Sequence, residues 1–335
     1  MRVAIYFPSF SASATDRQAQ ERYIANFRRY ISRCEELDFD IWCVDHLLTA
    51  PGLYGTSWMD PMSTLTYASA LTSRVRLGTS ISVAPLRNPV LLAKQIATLA
   101  QLSNDRFVFG TGPGWDAKTF DAVGVPLAER GSRTDEVIEA VRGLLTEDDF
   151  SFHGRHYDFS DVTIRPRPLT PPEVWVSGGA KMPDPKSPDK DYLPTSVLNR
   201  ILKADGWISR AAGNQELLLR DMDVVKAAFS SAGVDAGSFT MAHCNFIHVS
   251  PGLTRQQALD AQQDLAIRAF GTHRSYEHLQ QCYLLGDLDH QLNRLRELAA
   301  NGVDYFILGP LTDDLEQLDL IHEQIVPALM EAAVA

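Results

Sequence analysis

The segment from Val75 to Trp115, VRLGTSISVAPLRNPVLLAKQIATLAQLSNDRFVFGTGPGW, decides the fold. An apolar run leads into a polar turn, a helix opened by Asn88-Pro89, a short loop, a second apolar run and a glycine-rich turn. That order gives two consecutive βα units, and βα units in series build a parallel sheet. Asparagine accepts hydrogen bonds at a helix start, and proline loses nothing at the first helical position because its missing N–H would be unpaired there. Asp60-Pro61 repeats the signal, so helices start near Pro61 and Pro89.

Working outward, strand-like runs appear at Val3–Phe7, Ile41–Val44, Val75–Leu77, Phe107–Phe109, Val174–Val176, Trp207–Ile208, Cys244–Val249 and Tyr305–Leu308. Helical patterns separate them. Tyr23, Phe27, Tyr30, Ile31, Cys34 and Leu37 recur at helical spacing and form a core-facing stripe. Ser132 with Asp135 resembles a capping box for a helix running to Leu145. A last helix, Leu288 to Ala300, carries Leu288, Leu292, Leu295 and Leu298 on one face and stops at Asn301-Gly302. Eight strands alternating with helices fit a closed (β/α)8 TIM barrel with insertions after strands 4 and 5. An open doubly wound sheet with a second domain is the alternative.

Residues 1–335 then form one barrel domain with two departures. Residues 151–172 read as a β excursion turning at Gly154-Arg155, and residues 180–194 as a proline-rich, charged loop placed to act as a lid.

Length and composition agree. The chain has 335 residues, 45% of them hydrophobic and 22% charged, ordinary for a globular protein with a large core. Its net charge of -11 argues against nucleic acid or an acidic membrane as partner. Cys34, Cys43, Cys244 and Cys282 show no metal or redox spacing, so buried free thiols in a reducing compartment are expected. MRVAIYF already reads as a strand, and no apolar run has the length of a membrane span, which points to a cytoplasmic protein.

In such a barrel the working residues stand at the carboxyl ends of the strands. Asp45-His46 follows the second strand, Thr79-Ser80-Ile81 the third, Gly110-Thr111-Gly112-Pro113-Gly114-Trp115 the fourth and Ser177-Gly178-Gly179 the fifth. A histidine in the mouth can exchange a proton near neutral pH, and the adjacent carboxylate can fix its tautomer; a satisfied structural pair is the plainer alternative. GTGPGW is not a dinucleotide fingerprint, because GxGxxG needs glycine where Trp115 stands. Its glycines allow backbone to approach a flat ring, with Trp115 available for stacking, although a tight turn with a core tryptophan gives the same pattern. Ser177-Gly178-Gly179 exposes N–H groups suited to a phosphate. His153 and His156 lie on a hairpin and read as surface residues rather than metal ligands, and Glu129, Arg130 and Arg133 as a solvated ion-pair cluster. The common hydrolase and phosphoryl-transfer motifs are missing.

These residues resemble a known family. LDFDIWCVDHLL, RLGTSISVAPLRNPVLLAKQIATLAQLSNDRFVFGTGPGW, FDAVGVPLAERGSRTDEVIEAVRGLL, PPEVWVSGGA, ADGWIS and GDLDHQLNRLRELAANGVDYFILGP together resemble the luciferase-like flavin- and deazaflavin-dependent oxidoreductases, in the expected order and over nearly the whole chain. The resemblance implies a usually dimeric barrel that holds FMN or coenzyme F-420 at its mouth. It implies His46 near the reactive face of the ring, oriented by Asp45, and a non-prolyl cis peptide at Ser80-Ile81 beneath it. It implies cofactor contacts from Phe7, Thr79, Ser80, Ile81, Gly110, Gly112, Gly114 and Trp115, and from Ser177, Gly178, Gly179 and Ala180 near the phosphate. Asp-His after the second strand resembles the deazaflavin branch. Trp115 stands where sugar-phosphate dehydrogenases of the family carry glutamate, so a sugar phosphate substrate does not follow.

The first reading is therefore hydride transfer between coenzyme F-420 and a small organic substrate. The second is a reduced-FMN monooxygenase supplied by a separate reductase. The third, from another class, is a barrel that binds a ligand without catalysis.

Overall fold

The computed structural model describes residues 1–7, 16–49, 58–183, 191–210, 213–233 and 237–332. The chain runs β1 (Arg2–Tyr6), α1 (Arg17–Glu36), β2 (Asp40–Cys43), α2 (Pro61–Ser69), β3 (Leu77–Thr79), β4 (Ser82–Val83), α3 (Pro89–Leu102) and β5 (Phe107–Gly112). After α4 (Ala117–Ala122) and α5 (Arg130–Thr146) comes a hairpin, β6 (Phe150–His153) and β7 (Asp158–Val162). The second half continues with β8 (Val174–Gly178), α6 (Thr195–Ile201), β9 (Gly206–Ser209), α7 (Gln215–Ala232), β10 (Thr240–Ile247), α8 (Arg255–Phe270), α9 (Tyr276–Cys282), α10 (Leu288–Ala300), β11 (Tyr305–Pro310), α11 (Leu315–Leu320) and α12 (Val326–Ala332).

The sheet order is β3-β2-β1-β11-β10-β9-β8-β5-β4, every pairing is parallel, and β3 also pairs with β5. That last pairing closes the ring, and the architecture is the expected (β/α)8 barrel. The eight expected strands are its eight staves, while β4 is a short extra strand on β5.

The strands are buried along their length, as parallel strands between a barrel interior and a helix layer must be. Side chains alternate between those surroundings. Ala4 and Tyr6 of β1 join an interior cluster with Trp42, Trp175, Ile208 and Tyr305, whereas Val3, Ile5 and Phe7 pack outward on the helices. Near the amino ends of the strands, Trp42 stacks on Trp175 with ring centroids 5.0 Å apart, and both indoles are fully buried. Gly78 makes room for them, since a Cβ there would meet the Trp42 ring at 2.6 Å. Trp42 Nε1 donates to the Tyr305 hydroxyl, which donates to Asp40, and Arg2 closes this polar floor with an ion pair to Asp40 at 2.7 Å.

Helix signals are mixed. Asp60 and Asn88 cap α2 and α3 ahead of their prolines as expected, and Gly302 adopts positive φ after α10. The capping box at Ser132 is absent. A 3-10 turn at Leu127–Glu129 runs directly into α5, so Ser132 lies inside the helix and donates to the Glu129 carbonyl. The hairpin of the β excursion is present, but His156 is not a surface residue: its imidazole is buried against Ser132 Oγ at 2.8 Å and near Glu129. Glu129, the residue before α5, pairs with Arg133 in the first turn at 2.8 Å, and both side chains are half-buried rather than solvated. All four cysteines are buried and free. Among the described residues no helix is long and apolar enough to cross a membrane, and no cluster of ligating side chains could hold a metal. Of the lid expected over 180–194, residues 184–190 lie outside the described residues.

Candidate active site

The mouth of the barrel is built by the carboxyl ends of β1, β2, β3, β5 and β8. Trp58, Ile81 and Phe246 are the partly buried residues that top the interior cluster. His46, just past β2, stacks its imidazole on Trp58, with centroids 4.5 Å apart and planes 29° from parallel. The edge of Trp115 meets the same imidazole at 6.1 Å and 73°. Two expected site residues, His46 and Trp115, are thus brought together, and Trp58 stacks on the same imidazole. Burial lowers the His46 pKa below the usual histidine value, while Asp45 and Asp116 pull the other way. The imidazole is neutral at neutral pH and able to accept a proton.

Asp45 performs a second task. Its Oδ2 accepts from the Val83 N–H at 2.9 Å and from Arg87 Nη2 at 3.0 Å. Through Val83 it fixes the β3–β4 connection against β2.

That connection contains the cis peptide Ser80-Ile81. The Ser80 carbonyl accepts from the Tyr6 hydroxyl at 2.8 Å. Thr79 donates its hydroxyl to the Gly110 carbonyl at 2.6 Å and is fully buried, so both residues brace the wall below the mouth. Gly112 is the contact point of three strand ends. A Cβ there would lie 2.7 Å from Ile81 Cδ1 and 2.7 Å from Ser177 Oγ, so only glycine lets those two groups approach. Gly114 has φ +68° and packs its backbone on Val83 and Phe120, which turns Trp115 back over the mouth with 43% of its surface exposed.

Ser177 and Gly178 end the fifth stave, followed by Gly179. The Gly178 carbonyl accepts from Trp207 Nε1 at 3.0 Å. The Ala180 N–H, expected to face a phosphate, is committed to the carboxylate of Asp221 at 2.5 Å. Asp221 is buried on α7, and desolvation raises its pKa against the pull of that N–H and of Arg220.

Phe7 stands apart from the mouth. Its ring lies edge-on to Phe27 and Tyr30 of α1, because the alternation of β1 turns residue 6 inward and residue 7 outward. Tyr6 is the residue that the alternation would have selected. Trp58, Arg87 and Asp221 were also missed; none carries a local signal, since each reaches the site from another element. A separate cavity of about 300 Å³ opens at the opposite end of the barrel, between α5 and the start of β8, lined by Val141, Leu145, Pro172 and Val174.

Comparison with known proteins agrees with this architecture. Residues 1–182 match the family model for luciferase-like monooxygenases. An uncharacterised protein of Mycobacterium tuberculosis is 36% identical over 164 residues, covering 49% of this chain and 52% of that protein. An FMNH(2)-dependent dimethylsulfone monooxygenase of Pseudomonas putida is 29% identical over 189 residues, 54% of this chain and 52% of the relative. The chain therefore spans about half the length of these curated relatives. A solved F420-dependent secondary alcohol dehydrogenase, in complex with an F420-acetone adduct, shares the fold with TM-score 0.75 and 18% identity, over 98% of this chain and 99% of that one. With more than half of its length matching the family model, the chain belongs to the luciferase-like monooxygenase family.

Proposed function

We propose that the protein is a deazaflavin-dependent oxidoreductase that exchanges a hydride between coenzyme F-420 and a small organic substrate. The observation that carries this reading is the convergence of His46, the Ser80-Ile81 cis peptide and Ser177 on one mouth. The residues suit a flat ring: glycine at 112 lets Ile81 Cδ1 and Ser177 Oγ come together at the mouth, where a Cβ would meet both at 2.7 Å. Ile81, Gly112 and Ser177 would flank the ring, with Ser80 held beneath it by Tyr6 and the Gly178–Gly179 turn toward its tail. Ala180 serves that turn by anchoring it to Asp221 rather than by offering a free N–H. When bound, the cofactor supplies the hydride chemistry. The chain supplies position, exclusion of water by Trp58 and Trp115, and a neutral imidazole at His46 that takes or returns the accompanying proton. A homodimer is the proposed assembly.

A second reading is favoured by the Pseudomonas relative: a reduced-FMN monooxygenase fed by a separate reductase. Spectrally monitored titration of cofactor-free protein with each cofactor separates the two. Tight binding of F-420 with slow or absent oxygen consumption supports the first reading. Tight FMN binding with oxygen consumption by the reduced complex removes it.

A further inference from the structure

Arg87 lies one short turn beyond β4 and has not so far been given a role in the chemistry. Its guanidinium reaches two carboxylates at once: Nη2 stands 3.0 Å from Asp45 Oδ2 and 3.2 Å from Asp60 Oδ1. Asp45 immediately precedes His46. Asp60 closely follows Trp58 and caps α2 by accepting from the Ser63 N–H at 2.8 Å. Arg87 therefore ties together the two ends of the segment between β2 and α2, and those ends carry the two stacked rings, His46 and Trp58. The same Asp45 oxygen takes the Val83 N–H, which adds the β4 backbone to the tie.

The burial of these groups makes the arrangement consequential. The Asp45 side chain is 5% exposed and that of Arg87 20% exposed. A buried carboxylate without its cation is costly, and ion pairs in such surroundings are screened less than surface pairs. An arginine can meet two carboxylates through separate N–H groups of one rigid plane, which a lysine cannot reproduce.

We infer that Arg87 is a positioning residue: by bridging Asp45 and Asp60 it sets the stack of His46 on Trp58 and partly neutralises the carboxylate beside His46. The inference takes from the proposed function only the role of His46, and its test needs no cofactor, so either can fail without the other.

The charged groups facing His46 are Asp45 on its own segment, Asp116 at the start of α4, and Arg87 acting through Asp45. Removing the Arg87 charge exposes His46 to the full charge of Asp45 and raises its pKa; Asp45→Asn removes that charge and lowers it. The experiment is an NMR titration of the His46 ring in the full chain, assigned by its loss in His46→Gln. In Arg87→Met the midpoint is expected to rise by on the order of half a pH unit or more, and the ring-current shift from Trp58 to shrink. In Asp45→Asn the midpoint is expected to fall. Should Arg87→Met fail to fold, Arg87→Lys decides instead, since it keeps the charge but not the bridge. A weakened Trp58 ring-current shift in that variant supports the inference. A folded Arg87 variant in which both the midpoint and the Trp58 shift match the parent protein overturns it.

Discussion

The Tyr6 hydroxyl donates to the Ser80 carbonyl at 2.8 Å, joining the first stave of the barrel to the cis peptide that follows the third. The bond is buried and spans 74 positions of sequence.

Tyr6→Phe removes this bond while keeping the ring. A buried carbonyl left without its donor typically costs about 1–3 kcal/mol. Urea unfolding is expected to show a loss in that range, and cofactor affinity is expected to weaken because the Ser80-Ile81 segment loses its tether. Unchanged stability together with unchanged affinity would show that Tyr6 plays no part in the mouth.

Gly112→Ala places a methyl group 2.7 Å from both Ile81 Cδ1 and Ser177 Oγ. Overpacking of this kind costs about 1–3 kcal/mol. Because both neighbours border the mouth, relief is expected to push one of them into it and to weaken cofactor binding by on the order of tenfold or more. Isothermal titration reads the affinity, and an alanine variant that binds as tightly as the parent contradicts the assignment of the ring site.

His46→Ala is expected to lower turnover by about 10²–10⁴, the usual contribution of a general acid or base, with cofactor affinity within a few-fold of the parent. Burial lowers the His46 pKa, so the neutral imidazole persists below the ordinary value of 6.5 and the acidic limb of the rate profile is expected below that pH. Undiminished turnover would make His46 structural and favour a binding role for the barrel.

His243 gives a stability signature independent of the site. It is fully buried in β10, and burial lowers its pKa from 6.5 to about 3, with Arg294 adding to the shift. Asn245 Nδ2 stands 3.0 Å from Nε2, and the Asn245 oxygen takes the Phe246 N–H, so Nε2 accepts and Nδ1 carries the proton toward Ser209 Oγ at 2.7 Å. The unfolded chain takes up a proton near pH 6.5 that the folded chain refuses until about pH 3. Stability is therefore full above 6.5 and falls as pH drops through that window, by about 1.4 kcal/mol per unit from this group. His290, lowered to about 4 by burial and by Arg255 and Arg294, adds in the same direction. Denaturant midpoints between pH 4 and pH 7 check this; His243→Gln is expected to flatten the slope, and an identical slope in that variant would refute the account.

The barrel was legible because each stave is an apolar run between helical patterns, and that alternation is a one-dimensional signal. Its limits were less so. The third strand was expected at Val75–Leu77 and lies at Leu77–Thr79, because pairing of Ile41 with Leu77 and Cys43 with Thr79 sets the register. Only the partner strand carries that information. The mouth was legible wherever polar or glycine residues sit at strand tips, as with His46, Ser80, Gly112 and Ser177. It was illegible where a residue acts across space: Arg87 on Asp45, Asp221 on the Ala180 N–H, and Trp58 on His46. Phe7 shows the cost of passing over alternation within a strand, and Ser132 that of reading a cap without the turn before it.

The stacked indoles of Trp42 and Trp175 have a kinetic meaning. With both rings wholly buried above the Asp40–Arg2 floor, the axis of the barrel is a blind shaft rather than a tunnel. Among the described residues that end of the shaft is sealed, so traffic to the side chains of His46 and Trp115 has to come and go on the side away from the two indoles.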